Sequence, residues 1–268
     1  MSSRVACRNR LAPALVALVV VAAGVQAAEL PPAPAGFALG VAFGADQLRD
    51  DLLVPFRWTG PLVGLTAGGS FLTGRVRQQP ELSLSVTSAT NRHGNAALAV
   101  DIGAGHRLLL DRSIRLVGGA FEPGVLVFYR QHNALLWSWD DAHDYWLNGF
   151  GIGPALAWRR SLSNRSTFGI EAAGSLLAFA SRPPEYRHNK QDRLETVGFY
   201  FIENFRDLRV SLPDKYQAAD LRAGIEWRAG QGTIAAGYRL DLLRATWPEP
   251  GVALLHGAWF RWQPRARR

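Results

Sequence analysis

The chain of 268 residues carries one cysteine and one methionine. The methionine is Met1 and the cysteine is Cys7. Everything after Cys7 lacks a thiol, which excludes a disulfide framework and any cysteine-held metal centre there. Small secreted domains often depend on disulfides, so a secreted product of this sequence must be stable without them. A long apolar run is also missing after residue 28, where nothing approaches the ~20 apolar residues that a spanning helix needs. No Pro/Ser-rich linker divides the chain, and no solenoid-type repeat recurs. An exported chain of this kind can still cross a membrane as a closed barrel, because closure removes the sheet edges that lipid does not tolerate.

The N-terminus has a recognisable order. Arg4, Arg8 and Arg10 precede an uncharged apolar run from Leu11 to Val21, and Val25-Gln26-Ala27 offers small residues at the two positions a signal peptidase reads. This layout predicts a secretory signal peptide over 1–27, cleaved after Ala27. The alternative is a membrane anchor, since the apolar stretch to Ala28 reaches the lower limit for a spanning helix. Pro13 and the Ala/Gly-rich end of the run argue against it. Cys7 lies before the run, so it is not a lipoprotein cysteine. Cleavage removes three arginines from a net charge of +8 and leaves the rest basic. Pro31-Pro32-Ala33-Pro34 makes residues 28–35 a short extended leader.

From residue 36 the dominant signal has period two. Phe37, Leu39, Val41 and Phe43 alternate with Ala38, Gly40, Ala42 and Gly44. A helix would scatter the four large side chains, whereas a strand stacks them on one face. The same alternation recurs in 97–109, 149–160, 219–229 and 232–242. The pattern predicts an all-β, up-and-down antiparallel barrel over 36–262 with about ten strands, eight or twelve being the alternatives. The expected strands are 36–46, 56–73, 80–89, 96–110, 113–130, 147–162, 166–181, 218–229, 232–245 and 251–262. Short turns alternate with longer excursions at 46–55, 131–146 and 182–217, which suits short periplasmic turns and longer external loops. Phe56, Trp58, Phe128, Tyr129, Trp158, Trp227, Trp259, Phe260 and Trp262 lie near expected strand ends, where membrane barrels carry aromatic girdles.

The face opposite the large apolar side chains carries charge. Arg107, Arg159, Arg222, Arg228, Arg239 and Arg261 share it with Asp101, Glu171, Glu226 and Asp241. Charges are costly in lipid, so these ten residues are expected to line the lumen. An arginine excess there would favour anions, giving a narrow, weakly anion-selective pore for small solutes. The expected width is small, since an eight-stranded barrel is just filled by its own side chains. No cofactor and no nucleic-acid partner is expected, because no recognition module accompanies the basic charge.

Two alternatives stand beside a pore. One is an outer-membrane enzyme. Asp140, Asp141, His143 and Asp144 suggest the acidic rim of the omptin proteases, but they fall within five positions of one loop instead of facing across a cleft. The three aspartates are weak candidates for a divalent cation. A lipid A deacylase would need a His and a Ser two apart on the lipid face, and Ser161-Leu162-Ser163-Asn164 lacks the His. The other alternative is a non-catalytic barrel for adhesion or membrane integrity. His106 and His256 fall on apolar faces and read as interfacial side chains, not ligands.

The chain end resembles the recognition signal of outer-membrane barrels. Gly257, Phe260 and Trp262 carry it, which implies outer-membrane lipid and the barrel-assembly machinery as partners. It departs from the pattern in that residues 263–268 follow as a basic tail. The second half also resembles the pore-forming major outer membrane protein family first described in Legionella. The residues that carry this are Phe150-Gly151-Ile152-Gly153-Pro154, Ala172-Ala173-Gly174-Ser175-Leu176-Leu177, Leu221-Arg222-Ala223-Gly224-Ile225-Glu226-Trp227, Ala236-Gly237-Tyr238-Arg239 and Leu254-Leu255-His256-Gly257. The resemblance covers roughly 148–262, and 36–130 does not match. It implies a barrel of the bacterial outer membrane with pore activity, and it transfers no catalytic residue.

Overall fold

A computed structural model describes residues 36–51, 54–111, 114–138, 141–182, 208–230 and 232–264. The expected signal peptide, the leader and residues 265–268 lie outside the described residues. Among those described there is no helix. The strands are β1 (Gly36–Asp50), β2 (Val54–Thr73), β3 (Val76–Asn91), β4 (Ala96–Leu110), β5 (Ile114–Leu116), β6 (Gly119–Ser138) and β7 (Asp141–Ser161). They continue as β8 (Ser166–Gly174), β9 (Leu177–Ser181), β10 (Arg209–Ser211), β11 (Tyr216–Ala229), β12 (Gly232–Ala245) and β13 (Gly251–Pro264).

These elements form one closed ring of ten antiparallel staves. Its order is β1, β2, β3, β4, β6, β7, β8 with β9, β11 with β10, β12, β13, and back to β1. β9 carries on the line of β8 after a break at Ser175-Leu176, and both pair with β7. Hydrogen bonding runs through the break, because Ser175 N donates to Ala218 O at 2.7 Å and Leu176 N to Ile152 O at 2.9 Å. β5 is an addition to the ring. It folds back on the start of β6 through Val117-Gly118, both in the left-handed region. The single expected strand 113–130 is therefore a short hairpin arm followed by β6.

Closure depends on the first and last staves. β13 runs beside β1 from Leu39↔Trp262 to Asp50↔Gly251. Gly44 faces Gly257 in this seam. A side-chain carbon on Gly257 would lie 2.2 Å from the Phe43 carbonyl oxygen, and one on Gly44 would lie 1.9 Å from that of His256. The two backbones can approach only because neither residue has a side chain. β13 also continues through Gln263 and Pro264, the first two residues of the expected tail. Gln263 Nε2 donates to Gly36 O at 3.2 Å and ties the chain ends of the ring together.

Three expected excursions are smaller than the alternation suggested. β1 runs to Asp50 and β2 starts at Val54, so the gap at 46–55 is a short reversal. The expected loop 131–146 is mostly strand, with β6 and β7 paired as far as Ser138↔Asp141. In 182–217, β10 and the start of β11 are ordered strand, and 183–207 lies outside the described residues.

The outer wall is apolar. Leu65, Leu82, Val63, Phe43, Trp262 and Val127 are each half exposed or more. In a soluble fold so many exposed large apolar side chains would be an aggregation hazard. The interior is filled. Trp58, Leu136, Tyr145, Leu147, Tyr216 and Leu243 are almost fully buried at the end away from the chain termini. Polar and charged side chains fill the middle and the terminal end.

Candidate functional site

Period-two geometry decides which side chains enter the lumen. Alternate residues of β4 place Asp101 and Arg107 inside, and the same alternation on β12 places Arg239 and Asp241 there. Arg159, Glu171, Arg222, Glu226 and Arg261 also project inward and together line one interior cavity. Arg228 keeps the inward phase of β11, but it lies exposed at the rim.

The sequence reading missed several partners of these residues. Glu81, Arg77, Glu122, Arg130, Asp220, Asp46 and His132 all turn inward. Each follows the phase of its stave, so strand parity extended to the true strand ends was the signal that finds them. Their inclusion changes the charge balance. Inside the ring, arginines 77, 107, 130, 159, 222, 239 and 261 meet carboxylates 46, 81, 101, 122, 171, 220, 226 and 241. The arginine excess on which the anion preference rested is not there.

Most of these charges pair, and several pairs cross the barrel. Arg222 on β11 makes a two-pronged contact with Glu81 on β3, its Nη2 donating to Oε1 at 2.6 Å. Those staves lie on opposite sides of the ring of ten. Arg107 on β4 bonds Asp220 on β11, and Arg130 on β6 bonds Asp241 on β12. Arg239 reaches the same Glu81 at 3.9 Å. Toward the terminal end, Glu122 accepts from Arg77 at 3.1 Å and from Arg159 at 2.5 Å, and Arg261 lies 2.5 Å from Glu226. Toward the other end, His132 sits between Asp46 at 3.7 Å and Asp101 at 3.8 Å.

Little space is left. Two interior cavities of the terminal half measure about 60 and 50 Å³, and one near the middle about 30 Å³. One water needs roughly 10–15 Å³ by this measure, so the cavities suit a few waters each and no sugar or amino acid. Above them the apolar cluster around Trp58 and Leu147 fills the bore.

The expected aromatic girdle is split. Trp227, Phe260 and Trp262 face outward, as do Phe37 and Phe71 near the terminal end. Trp58 and Phe128 point inward and are buried, and Trp259 lines a lumen cavity under the Arg261 guanidinium at 5.6 Å. Nearness to a strand end had suggested the girdle for these three, but the phase of the strand puts them inside. Gly257 of the chain-end signal supports the β1–β13 seam, while Phe260 and Trp262 stand on the outer wall. Of the candidate cation ligands, Asp140 lies outside the described residues, and the backbone of Asp141 and Asp144 belongs to β7. Among the described residues no group of three His, Cys, Asp or Glu side chains is arranged to hold a metal ion.

No family model matches the chain, and no curated protein matches it in sequence. Solved structures with a similar arrangement include the translocator domain of the autotransporter NalP from Neisseria meningitidis. It is 10% identical with a TM-score of 0.49, over 89% of this chain and 90% of that one. The transport unit of the autotransporter AIDA-I from Escherichia coli is 10% identical at a TM-score of 0.41, over 95% and 98%. An outer membrane channel from Pseudomonas putida F1 is 11% identical at a TM-score of 0.36, over 90% and 99%.

Proposed function

We propose that the protein is a bacterial outer-membrane β-barrel whose lumen is closed to solutes at rest. One observation carries the closed lumen: arginine–carboxylate pairs span the bore from opposite walls, Glu81 to Arg222 foremost. Such pairs are held firmly, because breaking one strands a charge in a poorly solvated interior. The membrane setting is supported by the outward apolar wall and by the charges being inside, the reverse of a soluble sandwich. Staves of 14 residues rise roughly 35 Å at a usual tilt, more than the ~25 Å apolar band requires. The longest connection lies at the end away from the chain termini, which supports an orientation with that end outside the cell. In this reading the protein acts as a membrane-embedded scaffold.

The test is solute flux. Liposomes carrying the folded protein should swell in arabinose or glycine no faster than protein-free liposomes. Rapid swelling would sink the closed-lumen reading. The second reading is a narrow channel that opens when the network rearranges. The Gly- and Ala-lined inner wall favours it, as do the motifs of 148–262 that resemble the Legionella family.

A further inference from the structure

The outer wall is apolar along most of every stave, but toward the end away from the chain termini β12, β13, β1 and β2 carry outward polar and charged side chains. Near the end away from the chain termini, Arg49 of β1 stands directly opposite Arg57 of β2, and both are exposed. Like charges directly opposed across two strands are destabilising by themselves. Arg49 has Asp51 beside it at 2.9 Å. Among the described residues no carboxylate pairs with Arg57. Arg244 of β12 belongs to the same row, since Val252 of β13 is the register partner of both Arg49 and Arg244. Among the described residues its guanidinium meets the neutral Gln217, at 3.5 Å, and no carboxylate. Among the described residues, three outward cations thus crowd one rim, and Asp51 is the one carboxylate that pairs with any of them.

A polar island lies beneath this row. His256 is four residues below Val252 on the outward face of β13, which is about 10 Å deeper along a tilted stave. Its Nδ1 shares a hydrogen bond with Tyr238 Oη at 2.5 Å, and its Nε2 lies 3.5 Å from Gln47 Nε2. Leu254, Leu242, Leu240 and Phe43 flank it on the same wall. An ionisable side chain facing lipid at that depth is costly and marks a site.

We propose that this face binds a phosphorylated, multiply acylated glycolipid of the outer leaflet. Its phosphates would meet Arg49, Arg57 and Arg244, and its acyl ester, amide or hydroxyl groups would meet the Gln47–Tyr238–His256 island. The charge of the row calls for an anion, and the depth of the island calls for polar groups where acyl chains begin. A diacyl phospholipid can bring ester groups to the island but only one phosphate to a row of three arginines, whereas a bisphosphorylated glycolipid brings two. The proposal rests on the outer-membrane reading and on its orientation.

The experiment uses protein extracted from outer membranes in mild detergent and checked for heat-modifiable gel mobility. Native mass spectrometry then measures binding of a bisphosphorylated acylated diglucosamine lipid, of the same lipid without phosphates, and of phosphatidylglycerol. The phosphorylated glycolipid should be retained in preference to both others. Arg49→Glu with Arg57→Glu should weaken its binding by at least about thirtyfold, the worth of removing two arginines from an anionic surface before any repulsion from the new carboxylates. His256→Leu should weaken it by about fivefold, one hydrogen bond's worth, and leave phosphatidylglycerol unchanged. Equal retention of phosphatidylglycerol or of the dephosphorylated lipid would overturn the proposal, as would full binding by a folded charge-reversed variant. Absence of a heat-modifiable barrel from outer membranes would instead overturn the membrane reading, and the site with it.

Discussion

Glu81 concentrates the chemistry of the lumen in one side chain. It takes both prongs of Arg222 from the far wall and lies within reach of Arg239. Removing it leaves two arginines in the bore with less compensation. Glu81→Gln should therefore destabilise the barrel by about 3 kcal/mol or more, read as a lower urea midpoint in lipid vesicles. Replacing both partners, Glu81→Leu with Arg222→Met, should recover most of that loss, because a well-packed apolar pair often matches a buried ion pair. An unchanged midpoint in Glu81→Gln would mean that the pair carries no weight. At this scale the sequence was half legible. Arg107, Arg159, Arg222, Arg239 and Asp241 were found because they interrupt a clear apolar alternation. Glu81, Arg130 and Asp220 were missed because they sit at the ends of the expected strands 80–89, 113–130 and 218–229, where the apolar alternation fades although the strands run on. Which carboxylate meets which arginine depends on closure across the ring, and no local pattern encodes that.

The staves make the membrane testable. Leu65 on β2 is 59% exposed on the outer wall. In water, an exposed Leu→Arg change is worth at most about 0.5 kcal/mol. Facing lipid near mid-band, the same change should cost roughly 2–4 kcal/mol. Leu65→Arg thus separates the two settings by its urea midpoint in lipid vesicles, and a near-zero effect would contradict a lipid-facing wall. The seam between β1 and β13 gives a second check. Gly257→Val puts a side chain against the Phe43 carbonyl and should abolish the heat-modifiable folded form. Ala258→Val, one residue along and outward, should leave that form intact. Equal folding of both variants would remove the seam from the account. The staves were largely legible, since lipid on one side and a filled lumen on the other impose a strict period of two. Their ends were not. Toward the end away from the chain termini the outward phase is no longer apolar, so Gln131, which is buried, and Asn133 look like loop residues although β6 runs on through them. The hairpin arm β5 was hidden for a different reason, because Val117-Gly118 reverses the chain inside an otherwise apolar stretch.

For the molecule as a whole, ten staves leave more room than eight, yet this ring is filled. Large apolar side chains fill the end away from the termini, and paired charges occupy the rest. The inner Gly and Ala residues leave the space in which long arginines lie across the bore. Composition announces the residues but not their packing, so barrel class was readable and occlusion was not. The most direct measurement is single-channel recording of the folded wild-type protein in planar bilayers. The account predicts a silent membrane with no conductance steps above the protein-free baseline. Stable, reproducible steps from the wild-type barrel would contradict it.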